Sequence, residues 1–136
     1  MRAVVAINPM QVGHVWPAAE PLVEAALASG DGGYTAADVL RQVRDRMAVL
    51  WLGYAGGAVE MAAVTEAVQR PQKKVARVMT LGGRNLRAWL RAGMPTLDAW
   101  ARAEGCEAWE MQTKRDGFAR VLRDWTPIGV VMRRSL

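Results

Sequence analysis

The sequence predicts a single α/β domain with a mixed, mostly antiparallel sheet flanked by helices, in the order β-α-α-β-β-β-α-β-α-β. Three observations carry this. Short apolar runs bounded by Gly, Pro and Asn alternate with stretches whose apolar residues recur at helical spacing. The Gly56-Gly57 pair joins two such runs at hairpin distance. The apolar run Val75 to Leu81 passes through Gly82-Gly83 into a helix beginning at Asn85, a join that can present free backbone N–H groups to an anion.

Taken in order, residues 3–8 read as a strand stopped by Asn8-Pro9. Ala19, Leu22, Val23, Ala26 and Leu27 mark a helix from about Trp16 to Ala28, and Ser29 to Gly33 is a flexible break. Thr35-Ala36-Ala37-Asp38 has the form of a capping box with Asp in place of Glu, and Val39, Leu40, Val43 and Met47 give that helix its buried face. Ala48–Tyr54 and Ala58–Val68 form the hairpin, and the polar stretch Arg70 to Lys74 leads to a third antiparallel strand, Val75–Leu81. Leu86, Trp89 and Leu90 share a face of the next helix. Gly93 and Pro95 predict a kink or restart before Leu97, Trp100 and Ala101, and Gly105 closes the helix. Cys106–Met111 is then a strand, Asp116–Trp125 a short helix, and Pro127–Met132 a last strand. No repeat, linker or low-complexity stretch points to a second domain.

The chain has 136 residues, 51% of them hydrophobic, which suits one domain with a core of its own and argues against disorder. No apolar run reaches the roughly 18–20 residues of a membrane span, and Met1 to Pro9 lacks the features of a signal peptide. A lone cysteine, Cys106, excludes an internal disulfide and a multi-cysteine zinc site. Its simplest implication is synthesis in a reducing, intracellular compartment. The formal net charge of +5 favours an anionic cofactor, an acidic partner or nucleic acid, although the basic residues are spread along the chain.

Leu50-Trp51 with the Gly56-Gly57 turn, Val64-Thr65-Glu66, Thr80 to Gly83, Trp100 to Cys106 and Arg115 to Leu122 form an ordered series. This series resembles the GCN5-related N-acetyltransferase (GNAT) fold, and within it a group of small bacteriophage-encoded acetyltransferase-like proteins. In length and layout it also resembles an internal virion protein of short-tailed phages. The resemblance implies acetyl-CoA as the cofactor, with Gly82, Gly83, Arg84 and Asn85 at the place of the family's pyrophosphate loop. That loop is longer in the family, of the type Gln/Arg-x-x-Gly-x-Gly/Ala. The family's thiolate-protonating tyrosine would fall near Arg123, whereas the tyrosines here are Tyr34 and Tyr54. These departures imply a degenerate acetyl-CoA site and a virion-associated or interaction component, made in a host cytoplasm and assembled with phage proteins. The alternative is an active acyl-CoA-dependent N-acyltransferase acting on an amine, and a nucleic-acid role for the basic surface is a third reading.

For acyl transfer, Glu66 and Glu60 are the candidate bases, set against an inert role on a solvated strand face. Gly82 and Gly83 either open the cofactor site or form a tight turn needing positive φ. Arg84 can supply charge to a phosphate, and Asn85 more simply caps the helix. His14 stands alone and Cys106 lacks an adjacent base, so neither points to a metal or a nucleophile. Asp116 reads as an N-cap, with Arg120 and Arg123 as a basic lip or a solvated face. Core packing accounts for most of the six tryptophans.

Overall fold

The structure, a computed structural model, describes residues 2–30, 32–113 and 122–136. Among them five strands form one sheet in chain order: β1 (Arg2–Ala6), β2 (Val49–Ala55), β3 (Ala58–Gln69), β4 (Lys74–Gly83) and β5 (Ala108–Met111). The first four pair antiparallel, and β5 runs parallel to β4. The described helices are α1 (Val12–Ala28), α2 (Ala36–Arg44) and α3 (Leu86–Ala103). A parallel neighbour needs a crossover, and α3 supplies it.

Period-two alternation along the strands makes two cores, one on each face of the sheet. Leu50, Leu52, Ala62 and Val64 face α1 and α2, where they meet Val12, Trp16, Ala19, Val23, Val39 and Val43. Trp51, Met61, Ala63 and Leu81 face α3, where Trp89 and Leu97 cover them. Both faces are buried, so the central strands read as nearly continuous apolar runs in the sequence.

The helix boundaries follow local chemistry. Asn8 caps a 3-10 turn at Pro9–Gln11 by accepting from the Met10 N–H at 2.9 Å, and α1 starts directly after it, a turn earlier than the apolar spacing from Trp16 predicts. Pro17 and Pro21 lie inside α1, where each removes a helical donor. The capping box of α2 forms in both directions: Thr35 Oγ1 accepts from the Asp38 N–H, and Asp38 accepts from the Thr35 N–H. That helix stops at Arg44, so Met47 is exposed rather than on its buried face. The β2–β3 hairpin turns on Gly56 and Gly57 as expected, both at positive φ.

Three expectations are corrected. First, β4 runs on through Gly82 and Gly83, so the glycines belong to the strand and the turn is only Arg84-Asn85. Second, α3 does not restart after Pro95 but runs unbroken from Leu86 to Ala103. Gly93 is there for close packing: a Cβ would sit 2.9 Å from Val4 Cγ2 on β1. The face made by Trp89, Gly93, Leu97 and Ala101, spaced by four, holds the helix to the sheet through the proline. Third, Pro127–Met132 is not a strand; Ile128, Val130, Val131 and Met132 stand exposed without regular structure. The expected helix Asp116–Trp125 falls mostly outside the described residues, of which Leu122 and Trp125 pack on the α3-side core. Gly105 does close α3, at φ +82, with Gly105 N–H to Arg102 O and Cys106 N–H to Ala101 O completing a Schellman motif. No helix among the described residues is long and apolar enough to cross a membrane.

Candidate functional site: the cavity beside the β4 bulge

The β4–β5 ladder runs from Val75 opposite Ala108 to Val78 opposite Met111 and ends there. Beyond it β5 has ended, and Met79–Gly83 have no ladder partner on that edge among the described residues. The end of the ladder coincides with a β-bulge. Val64 pairs with Thr80 while Thr65 pairs with Val78, which leaves Met79 as the extra residue. A bulge of this kind interrupts the ladder and re-aims the side chains beside it.

On the α1 side a cavity of about 100 Å³ opens at this point. Glu66, Arg77, Met79 and Thr80 form its floor, and Tyr34 and Gln112 stand among its walls. Alternation along β3 places Glu66 on the same face as Ala62 and Val64. Its carboxylate is 18% exposed and lies 3.8 Å from Arg77 of the facing strand. At that distance the contact is coulombic, with no hydrogen bond between the two, so both keep free hydrogen-bonding capacity. Thr80 is 4% exposed, and its Oγ1 has no hydrogen-bond partner among the described residues. A buried hydroxyl without a partner costs about 1–3 kcal/mol, a deficit that a bound ligand or water would remove.

Glu60 lies elsewhere, on the α3 face at the strand-to-helix turn. Its Oε1 accepts from Asn85 Nδ2 at 2.9 Å and from Trp89 Nε1 at 3.1 Å, and its carbonyl accepts from the Arg84 N–H at 3.1 Å. These bonds, first that from Asn85 and then that from Trp89, hold its carboxyl below the usual carboxylate range. Both acceptor groups of Glu60 therefore tie β3 to the start of α3. The structure does not bring Glu60 and Glu66 into one site.

Asn85 occupies the N-cap position of α3, but in the left-handed conformation (φ 56°) and without a side-chain cap bond, and its Nδ2 donates to Glu60 instead. The cap expected at Asn85 is thus replaced by a tether. The first N–H groups of α3 are left uncapped beside the exposed Arg84. They fit a single phosphate contact. They do not make a wrapping cradle, since Gly82 and Gly83 are used otherwise. A Cβ on Gly82 would run into the Leu22 carbonyl of α1, and one on Gly83, at φ +132, into the Glu60 carbonyl of β3. On the α3 side of β4 and β5, the apolar space between Val78, Leu97 and Trp109 is only about 20 Å³, and Leu122 and Trp125 close it.

The other singled-out residues have structural roles. Trp51 Nε1 donates to the buried Thr65 Oγ1 at 2.9 Å, Trp109 Nε1 donates to Asp98, and Trp100 meets Trp51 edge-to-face and Trp109 at a tilt. Cys106 is half-buried, and burial pushes its thiol up, away from the thiolate a nucleophile needs. His14 is exposed on α1. No group of three or more His, Cys, Asp or Glu able to hold a metal occurs among the described residues. Of the residues lining this cavity, the sequence analysis singles out Glu66 as a candidate base and gives no such role to Arg77, Thr80 or Tyr34. Arg77 was legible as the cross-strand partner of Glu66 once the strands were placed; the bulge that places Thr80 on this face leaves no mark in the sequence.

A five-stranded, mostly antiparallel sheet of this order, with a parallel last pair joined by a crossover helix, has the fold of the GCN5-related N-acetyltransferases, and comparison with solved structures bears it out. An aminoglycoside acetyltransferase, HMB0005, from an uncultured soil metagenomic sample superposes with a TM-score of 0.71 over 100% of this chain and 97% of that one, at 11% identity. A GCN5-related N-acetyltransferase from Ralstonia eutropha gives 0.70 over 99% of both chains at 15% identity. A ribosomal-protein-alanine N-acetyltransferase from Brucella melitensis gives 0.64 over 98% and 100% at 10% identity. Identities this low show the fold alone. No protein-family model matches the sequence, and neither does any curated protein.

Proposed function

We propose that this chain is an acyl-CoA-dependent N-acyltransferase acting on an amine held in the cleft between β4 and β5. The observation that carries the proposal is the meeting, in one cavity beside the β4 bulge, of a half-buried carboxylate, Glu66, and a buried hydroxyl without a partner, Thr80. The fold shared with acetyltransferases supports it. Acetyl-CoA, when bound, supplies an acetyl thioester. Arg84 and the uncapped first turn of α3 hold one of its phosphates. Glu66 accepts the proton that the amine gives up as its nitrogen attacks, and Thr80 Oγ1 orients the incoming amine. Walls from α1 and the loop after it shield the carboxylate from bulk water.

A second reading is a phage protein of this fold with a degenerate coenzyme A site, serving as a virion-associated component. One observation favours it: Leu122 and Trp125 fill the space beside β4 and β5 on the α3 side, so a cofactor arm entering there has to displace them.

The two readings separate in one experiment. The purified chain is unfolded thermally with millimolar acetyl-CoA, desulfo-CoA and ATP, and thiol release is followed with a mixed panel of amines. A CoA-specific rise in melting temperature together with amine-dependent thiol release is the outcome expected of a transferase. Absence of both at saturating ligand sinks the transferase and leaves the interaction component.

A further inference from the structure

The acceptor itself is constrained by the two charges on the cleft floor. We infer that the cavity takes a small α-amino acid, whose ammonium group sits at Glu66 and whose carboxylate sits at Arg77; the inference rests on the transferase reading for the chemistry that follows binding.

The argument begins with spacing. Glu66 and Arg77 face each other across a β-ladder, which sets their Cα atoms side by side, and their charged ends lie 3.8 Å apart. A ligand that satisfies both needs a positive and a negative group equally close together. In an α-amino acid a single carbon separates them. In a peptide the carboxylate is remote from the N-terminal amine, and in a polyamine it is missing. A ligand bringing several cations would meet Arg77 as a like charge. Because no hydrogen bond joins Glu66 to Arg77, the ligand breaks none between them when it enters.

Size points the same way. A closed apolar cavity of about 150 Å³ accepts benzene. A cleft of about 100 Å³ encloses roughly four heavy atoms by the same measure, fewer than a whole amino acid, so only a small ligand fits and part of it extends into the open mouth. The neighbours for its side chain are mixed: Ala26, Leu27 and Met79 are apolar, while Ser29, Tyr34, Gln112 and Thr113 are polar. Thr80 Oγ1 adds a hydrogen bond that the folded chain leaves unmade. In the step itself the bound ammonium first gives one proton to water, the neutral nitrogen then attacks, the nitrogen–carbonyl bond forms, the carbon–sulfur bond breaks, the second nitrogen proton passes to Glu66, and the departing thiolate takes a proton from water.

Binding is tested without turnover, by calorimetry on the whole chain. L-Leucine, L-methionine and L-threonine are each compared with the decarboxylated amine of the same side chain and with the acid lacking the amino group. At least one amino acid is expected to bind at least tenfold more tightly than both of its truncated relatives. Arg77→Met is expected to abolish the preference over the amine, and Glu66→Gln the preference over the acid, with unchanged circular dichroism. An amine that binds as well as its amino acid, or no binding by any of the three amino acids, overturns the inference. Thiol release from acetyl-CoA is scored separately. Carboxylate-dependent binding without release refutes the transferase reading and keeps this one. Release with amines that shows no preference for the amino acid does the reverse.

Discussion

Gly82→Ala is the substitution that most sharply separates a packing role from a ligand role at the strand-to-helix join. The new Cβ would fall inside contact distance of the Leu22 carbonyl oxygen, with the Leu22 carbonyl carbon 3.2 Å away. Both are backbone atoms of α1, so no side chain can rotate aside, and the helix has to lift from β4. Overpacking of this kind costs about 1–3 kcal/mol, and a backbone obstacle puts this case near the upper end. Unfolding entropy of about 2.1 cal/mol/K per residue gives a chain of 136 residues a slope near 0.3 kcal/mol per kelvin, so the melting temperature should fall by about 10 °C. Gly57→Ala is the control. It keeps a left-handed turn residue at φ +80 but meets nothing within 4 Å, and it should cost about 1–2 kcal/mol, or roughly half the shift. Differential scanning fluorimetry reads both. If Gly82→Ala melts no lower than Gly57→Ala, the packing argument is wrong. If it melts like the parent and loses its response to acetyl-CoA, the glycine serves a ligand.

Other expectations follow from single contacts. Trp51→Phe strands the fully buried Thr65 hydroxyl and should cost about 1–3 kcal/mol, with much of the loss recovered in the double variant Trp51→Phe/Thr65→Val; additive losses in a double-mutant cycle would refute the coupling. Thr35→Ala removes one arm of the capping box and should cost about 1 kcal/mol by chemical denaturation, whereas no change would mean that α2 is held by packing alone. The folded-state pKa of Glu60 is depressed, so its contribution is present above the ordinary carboxylate value near 4.5 and is lost as pH falls through the lowered one. The stability gap between the parent and Glu60→Gln should therefore narrow between pH 5 and pH 2; a gap independent of pH would show that the carboxylate charge is irrelevant.

The hairpin glycines, the capping box, the Gly105 stop and the alternation of buried strands could all be read from residue types, because each is a local event. Pro95 misleads for the opposite reason: the helix is held by a four-residue stripe against the sheet, and that tertiary contact outweighs one missing donor. Gly82 and Gly83 look like a turn because glycine is read as flexibility, whereas here it serves proximity to α1 and β3. Pro127–Met132 has the composition of a strand, yet composition does not supply a neighbour to pair with. Glu66 was legible as one of two acidic residues on a strand. What separates it from Glu60 is which face each occupies and which donors reach it, and that depends on two bulges the sequence does not announce.

The exposed stretch from Ile128 to Met132 also bears on how concentrated the protein can become. A short, uncharged, β-prone segment left in water is the kind that stacks with copies of itself, and β5 offers a four-residue sheet edge beside which such stacking can start. Arg133 and Arg134 follow it directly. Two like charges at the end of each segment repel when segments align in register, so the pair acts as a gatekeeper for solubility. High salt, which screens that repulsion over a few ångströms, should be the condition under which the protein first comes out of solution.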